Sequence, residues 1–514
     1  MLLIHPPVSK PCEPPAGIGK LCGALNHHGI KHTVLDANLE GLLYVLKNSK
    51  TSPDTWTRRA FRHLSDHLAS LKTRDAYRNL DRYRRAVKDL NHLLERAGLP
   101  VGARLGLANY EANGLSPARS GDLLRAAENP EGSPFHPYFQ KRLLELLEEK
   151  QPSVVGFSLN YLSQALTTFA MIGFLRQECP GLALALGGGL ITSWMRRPAW
   201  QNPFSGLVDH LIAGPGEKSL LSIYEARSGI RRGSGHRSGE DHWIPDYDSF
   251  PMEDYFSPGP ILPYSASSGC YWGRCAFCPE RAEGNPYLPI SAKKVISDLH
   301  VLVRRGKPIL IHLLDNAIPP ALMKAISENP PALPWYGFAR ITHPLADLDF
   351  CMALKRSGCV MLQIGLESGD QAVLDRMQKG VDLGEASLAL KALRKAGIAT
   401  YVYLLFGTPW ETLTEAERTL EFTVKHHDEI GFLNLALFNL PVRSQESSEI
   451  ETESFYEGDL SLYTGFRHPH GWDRKLVRQF LDKEFKRHPA IAPILRRDPP
   501  VFTSNHASLF VLSR

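Results

Sequence analysis

The sequence predicts an α/β protein in two parts. A doubly wound parallel sheet with a helical insertion comes first, and a partial β/α barrel of six units follows. Three observations predict it. Short apolar runs that read as buried strands alternate with helical periodicities over residues 1–226, and again from 261 to 440, as strand–helix–strand units require. Between about 53 and 150 that alternation gives way to Leu and Arg at three- and four-residue spacing, a helical insertion. A chain of 514 residues also exceeds what one core ordinarily organises, so two or three domains are expected.

In the first part, a strand over Leu2–Ile4 runs into a Pro-rich loop. A helix over Ile18–His28 stops at Gly29, and a strand over Lys31–Leu35 ends at Asp36. After the insertion come a strand at Ser153–Ser158, a helix at Ser163–Glu178 and a strand at Leu182–Leu186. A last strand near Asp209–Ala213 runs into Gly214-Pro215-Gly216-Glu217. These pieces form one Rossmann-like domain over 1–226. Residues 227–260 read as a linker, Gly- and Ser-rich and then Pro-rich. The second part, 261–440, carries strands at Leu262–Ala266, Ile309–Leu314, Trp335–Ala339, Val360–Gly365, Thr400–Phe406 and Phe432–Leu437. Helices such as Gly384–Ala396 and Thr414–His427 lie between them, which suggests a partial (β/α)6 barrel of TIM type. A loop-rich extension, 441–514, holds one amphipathic helix, Trp472–Lys486, and the polar segment Pro499–His506, read either as a flap over the barrel mouth or as a surface tail.

Composition is that of a globular protein, 43% hydrophobic and 22% charged, with a net charge of only +5. The basic stretch Arg58–Arg104 is interleaved with Glu and Asp and has no aligned aromatics, so a solvated helical face is expected and nucleic acid is set aside. No apolar run approaches the ~18–20 residues of a membrane span. The opening Met1–Pro7 lacks a basic leader, so a cytoplasmic location is expected. Eight cysteines, three clustered and five scattered, do not resemble a disulfide framework.

Those three carry the chemistry. In Ser267-Ser268-Gly269-Cys270-Tyr271-Trp272-Gly273-Arg274-Cys275-Ala276-Phe277-Cys278, gaps of four and two residues separate the thiols, directly after an expected strand. Such a loop can place one thiolate on each of three irons of a [4Fe–4S] cluster, which ordinarily takes four, leaving one iron open. An open position is what makes a metal site reactive. Zinc would want a fourth Cys or His nearby, and none follows Cys278 before His300. Of the other cysteines, Cys12, Cys351 and Cys359 read as bystander or core thiols.

The loop resembles the cluster motif of the radical S-adenosylmethionine superfamily, whose commonest form has three residues in the first gap. The resemblance continues at successive strand ends. Leu313-Leu314-Asp315-Asn316 is similar to that family's acidic strand end, and Arg340 closes the third strand. Gly365-Leu366-Glu367-Ser368-Gly369, followed by Met377-Gln378-Lys379-Gly380, is similar to its Gly-x-Glu-Ser signature. Gly407-Thr408-Pro409-Trp410-Glu411-Thr412 is similar to its Gly-x-Pro-Gly-Glu-Thr turn. The resemblance implies that Cys270, Cys275 and Cys278 hold the cluster. It further implies that Phe277, Asp315, Asn316, Arg340, Glu367, Ser368 and Gly407 lie about S-adenosylmethionine. Catalytic residues are not assigned.

The first part is similar to the cobalamin-binding domain that precedes the barrel in one large subclass. The likeness is carried by Ile4-His5-Pro6-Pro7, Asp36, Val155–Ser158, Gly187-Gly188-Gly189 with Thr192, and Val208-Asp209 leading to Gly214–Glu217. It implies cobalamin at the carboxyl ends of the strands, with Gly187, Gly188 and Gly189 giving a planar cofactor access to the backbone. The His signature that supplies a lower cobalt ligand elsewhere is absent, and a sheet that no longer binds cobalamin is the alternative. Together the resemblances imply reductive cleavage of S-adenosylmethionine to a 5′-deoxyadenosyl radical, used for cobalamin-dependent methylation of an unactivated carbon. A small-molecule or peptide substrate and a flavodoxin- or ferredoxin-type electron donor would be the partners. The rival readings are a radical enzyme that cyclises, rearranges or oxidises without methyl transfer, and a non-catalytic metal-binding or regulatory protein.

Overall fold

A computed structural model describes residues 1–51, 53–197, 200–229, 242–454, 458–500 and 507–511. Two compact units divide the chain. Among the described residues the first holds 1–260, the short later segment 458–462 and Pro500, and the second holds the rest from Ile261 onward.

In the first unit, five strands form one parallel sheet: β1 (Leu2–His5), β2 (Thr33–Asp36), β3 (Val154–Ser158), β4 (Ala183–Gly187) and β5 (His210–Leu211), in the order β2-β1-β3-β4-β5. β1 and β3 are buried along their whole length, as continuous apolar runs in a covered parallel sheet require. The chain winds outward from β1 in both directions, so the loops after β1 and β3 diverge at a switch point, where doubly wound sheets bind ligands. The helix Ala16–His27 returns the chain to β2. A further helix, Ala37–Lys47, follows at once because Asp36 caps it, accepting from the Leu39 N–H at 2.9 Å.

The expected insertion is helical, its longest element being the 19-residue helix Leu80–Gly98, with Tyr83, Val87, Leu90, Leu93 and Leu94 buried on one stripe. It also holds a two-stranded hairpin, Ala103–Leu105 with Tyr110–Ala112. Gly173 lets the helix Leu162–Glu178 meet the insertion's helix Ser120–Glu128, since a Cβ there would stand 1.9 Å from the Ala127 carbonyl oxygen. The stretch 227–260, expected as a linker, differs. Its residues 230–241 lie outside the described residues, but Tyr247, Phe250, Tyr255 and Phe256 are buried in the first unit. There Asp246 N–H donates to the Gly19 carbonyl at 2.9 Å, and its carboxylate accepts from Asn26 at 2.7 Å. Four aromatics and a buried acid hold this stretch down in spite of its Pro-rich composition. The segment 458–462 also belongs here: Leu460 N–H donates to the Ala118 carbonyl at 2.9 Å, and Asp459 accepts from the Ser120 N–H at 2.8 Å.

The second unit is built on six parallel strands: β6 (Ile261–Tyr264), β7 (Leu310–Leu313), β8 (Trp335–Ala339), β9 (Cys359–Glu367), β10 (Ala399–Phe406) and β11 (Phe432–Leu437). They lie side by side in chain order, with helices between them, as a partial barrel. At their N-terminal ends Ile261, Leu310, Tyr336, Met361, Tyr401 and Phe432 form one apolar cluster, and Ala507 packs into it. The C-terminal segment thus meets the barrel at the end opposite the loops described below; residues 501–506, part of the expected polar segment, lie outside the described residues. The expected helix 472–486 starts later, at Arg474 behind the cap Asp473, and passes at Leu481–Phe485 into a π-helical turn. Among the described residues no helix is long and apolar enough to cross a membrane.

Candidate functional site

The cysteine loop leaves β6 at the C-terminal end of the barrel, and two residues after β7 fasten its entry. Asp315, buried, accepts from the Ala266 N–H at 3.1 Å and the Ser267 hydroxyl at 2.5 Å. Asn316 Nδ2 donates to the Gly269 carbonyl at 3.3 Å. Gly269 sits at φ +75°, and a Cβ there would stand 2.4 Å from the Pro286 carbonyl oxygen, so only glycine fits just before Cys270. The far end of the loop is tied to the stretch beyond β9: the Ala276 N–H donates to the Met377 carbonyl at 2.8 Å.

Two positive groups face the sulfurs. Arg340, buried at the end of β8, places Nη1 3.8 Å from Cys275 Sγ, and its Nη2 donates to the carbonyls of Lys379 and Gly380. Lys379, also buried, forms a 2.8 Å ion pair with Glu367 and lies 5.5 Å from the centre of the Phe277 ring. Glu367 ends β9 at φ +70°, a strained conformation for a side-chain-bearing residue, where the register with β10 slips. Burial raises the Cys275 thiol against the pull of Lys379 and Arg340, and burial pushes Cys278 up to about 11. Iron binding must therefore displace a proton from each.

The donor set suits an iron–sulfur cluster: three thiols on one short loop, with no His in the loop beside them. Two buried guanidinium and ammonium groups beside three thiols also suit an anionic cluster.

Not every residue expected at the site faces it. Ser368 is fully enclosed, its hydroxyl bonded to Thr419 Oγ1 at 3.1 Å and accepting from the Asp370 N–H at 3.1 Å, a packing and capping arrangement. Gly407, at φ +77°, serves the turn after β10, where its N–H donates to the buried Glu411 carboxyl. Trp272 escaped the sequence reading. It lies over Gly380 and donates from Nε1 to the Gln378 carbonyl at 3.0 Å; an aromatic beside glycine inside the widened gap was its only signal.

In the first unit, the loops at the switch point are stitched together. His5 Nε2 meets Ser9 Oγ at 2.8 Å, Gln164 donates to the Pro6 carbonyl at 2.7 Å, and Tyr255 donates to Asp36 at 2.6 Å. Burial lowers the His5 pKa against the opposing pull of Asp36. The glycine run has unequal roles. Gly188, at φ +110°, is required by the protein's own backbone, because a Cβ there would stand 2.3 Å from the Leu159 carbonyl oxygen. At Gly187 a Cβ would be in ordinary contact with Ile212 (3.4 Å), and at Gly189 it would meet only Asn160 (3.7 Å). Gly189 is exposed, its N–H donating to Asn160 Oδ1 at 2.9 Å, and of the three it has the most open space around its Cα.

Residues 264–423 match the model of the radical SAM superfamily. An uncharacterised methyltransferase of Pyrococcus horikoshii is 26% identical over 48% of this chain and 54% of its own length. The hopanoid C-3 methylase of Methylococcus capsulatus is 24% identical over 52% of this chain and 56% of its own length. The chain thus spans about half the length of these relatives. Among solved structures, the radical S-adenosylmethionine methyltransferase TsrM of Kitasatospora setae, with cobalamin and a [4Fe–4S] cluster bound, aligns over 87% of this chain and 77% of its own. The TM-score is 0.51 at 15% identity, a likeness of fold.

Proposed function

We propose that this chain, which matches the radical SAM superfamily over residues 264–423, is a cobalamin-dependent radical SAM enzyme that methylates an unactivated carbon. The observation that carries the first half is the loop of Cys270, Cys275 and Cys278, fastened by Asp315 and Asn316 and faced by Arg340 and Lys379 at the C-terminal end of a parallel barrel. When bound, the cluster and S-adenosylmethionine supply a 5′-deoxyadenosyl radical. The three thiolates would hold the cluster, and Arg340 would offset its negative charge at Cys275. The Lys379–Glu367 pair fixes the end of β9. Phe277, beside Lys379, offers a ring face for the nucleoside.

The cobalamin half rests on the β2-β1-β3-β4-β5 sheet, whose switch point between β1 and β3 suits a large ligand, and on Gly189, exposed with open space around its Cα. The methylase names of two relatives favour methyl transfer. A cytoplasmic setting, a small-molecule or peptide substrate and a flavodoxin- or ferredoxin-type donor complete the reading.

Anaerobic reconstitution with iron, sulfide and cobalamin tests it. Reductant and S-adenosylmethionine should yield 5′-deoxyadenosine, and Cys275→Ala should abolish that product. No 5′-deoxyadenosine from wild type with full cluster content refutes the radical reading. Cobalamin binding without a labelled methyl in any product refutes methyl transfer, leaving a radical enzyme that cyclises, rearranges or oxidises.

A further inference from the structure

Between Cys270 and Cys275 the loop carries four residues, and the second, Trp272, reaches across to the stretch beyond β9. Its Nε1 donates to the Gln378 carbonyl at 3.0 Å. Its ring fills the space that a side chain at Gly380 would need: a Cβ there would come 2.2 Å from the ring, and Gly380 sits at φ +62°. The Arg340 guanidinium lies over the same ring, 4.1 Å from its centre, and Arg274 lies 5.2 Å from it. Gly273, at φ +60°, turns the chain back from Trp272 towards Cys275. The widened gap thus provides an aromatic platform under Arg340, and Arg340 Nη1 stands 3.8 Å from Cys275 Sγ.

We propose that Trp272 is a positioning residue for the cluster's electrostatics, holding the Arg340 guanidinium on the Cys275 sulfur. The inference rests on the cluster reading above. An indole face attracts a guanidinium and restricts its plane, and the Nε1 bond to Gln378 fixes the indole in turn. A donor and a positive charge at a ligand sulfur favour the more negative, reduced cluster and so raise its potential. The four-residue gap then has a physical purpose, which is to reach Gly380 with an aromatic ring without moving Cys275.

The test is a reductive titration of the full-length, anaerobically reconstituted protein, followed by electron paramagnetic resonance, with iron and sulfide content measured alongside. In Trp272→Leu, which fills space without a π face, the reduced-to-oxidised ratio at fixed poise should fall about tenfold, 59 mV for a one-electron couple. Trp272→Phe, which keeps a ring face, should recover most of that shift. Arg340→Gln should lower the potential at least as far, and adding Trp272→Leu to it should change nothing more. If Trp272→Leu does not hold a full cluster, Gly380→Ala, whose Cβ displaces the ring with Trp272 retained, should move the potential in the same direction. A wild-type potential in the Trp272 or Gly380 variant at full cluster content, or additive shifts in the double variant, overturns the proposal. A wild-type chain that takes up no cluster overturns the underlying reading, and this inference with it.

Discussion

Glu411 offers a measurement that needs no cofactor. It is fully enclosed beneath the turn after β10, and burial pushes its carboxyl up to about 8 from an ordinary 4.5. One oxygen accepts from the Gly407 N–H and from Trp472 Nε1 at 3.0 Å, while the other has no partner. Between pH 4.5 and 8 the native state keeps this proton and the unfolded chain has lost it. Stability from Glu411 is therefore complete below pH 4.5 and is lost as pH rises through the native value. The slope is about 1.4 kcal/mol per pH unit, or up to about 5 kcal/mol over the window. Glu411→Gln makes the neutral form permanent and retains an oxygen for Gly407 and Trp472. It should remove the slope and make the protein more stable than wild type at pH 8 by roughly 2–5 kcal/mol, with little difference at pH 5. Urea midpoints of both proteins from pH 5 to 8.5, with hydrogen exchange at the Gly407 amide as a local probe, measure this; other titrating groups cancel in the difference. Parallel pH profiles for the two would refute the assignment of a neutral buried carboxyl.

Lys379→Met leaves the half-buried Glu367 without its 2.8 Å partner, and a loss of about 1–3 kcal/mol is expected in denaturant titrations, largely restored by adding Glu367→Gln. Gly188→Ala forces a Cβ onto the Leu159 carbonyl at a positive φ and should cost more than about 2 kcal/mol. Gly189→Ala, with open space around it, should leave unfolding unchanged and weaken cobalamin binding, read by its visible spectrum. Tyr255→Phe deletes the 2.6 Å bond to buried Asp36 and should lower the first unit's stability by about 1–3 kcal/mol in thermal melts.

Strands were the most legible part of the sequence. Trp335–Ala339 and Phe432–Leu437 form over the very residues expected, because parallel barrel strands are short apolar runs between helical patterns. The helix Ala37–Lys47 was not read, since Asp36 both ends a strand and caps that helix, and Gly41 weakens its pattern. Burial of Pro245–Tyr247, Phe250 and Tyr255–Ser257 was hidden by proline content. At the site, the cysteine spacing and Asp315, Arg340 and Glu367 stand out as strand-end residues. Their partners could not be read: Trp272 meets Gly380 and Glu411 meets Trp472 across long stretches of chain, and nothing local to either residue says which loops adjoin. Ser368 shows the converse, a motif residue whose neighbours give its hydroxyl a packing role.

The return of 458–462 to the first unit bears on how such a chain can be inherited. Leu460, 1% exposed, and Gly458, where a Cβ would stand 2.0 Å from the Ala118 carbonyl oxygen, fit one particular partner surface. The residues before and after that segment belong with the barrel. A gene fusion joining a foreign sheet domain at residue 260 would bring no matching surface for them. An exchange of the sheet domain should therefore be better tolerated when the 458–462 segment travels with it.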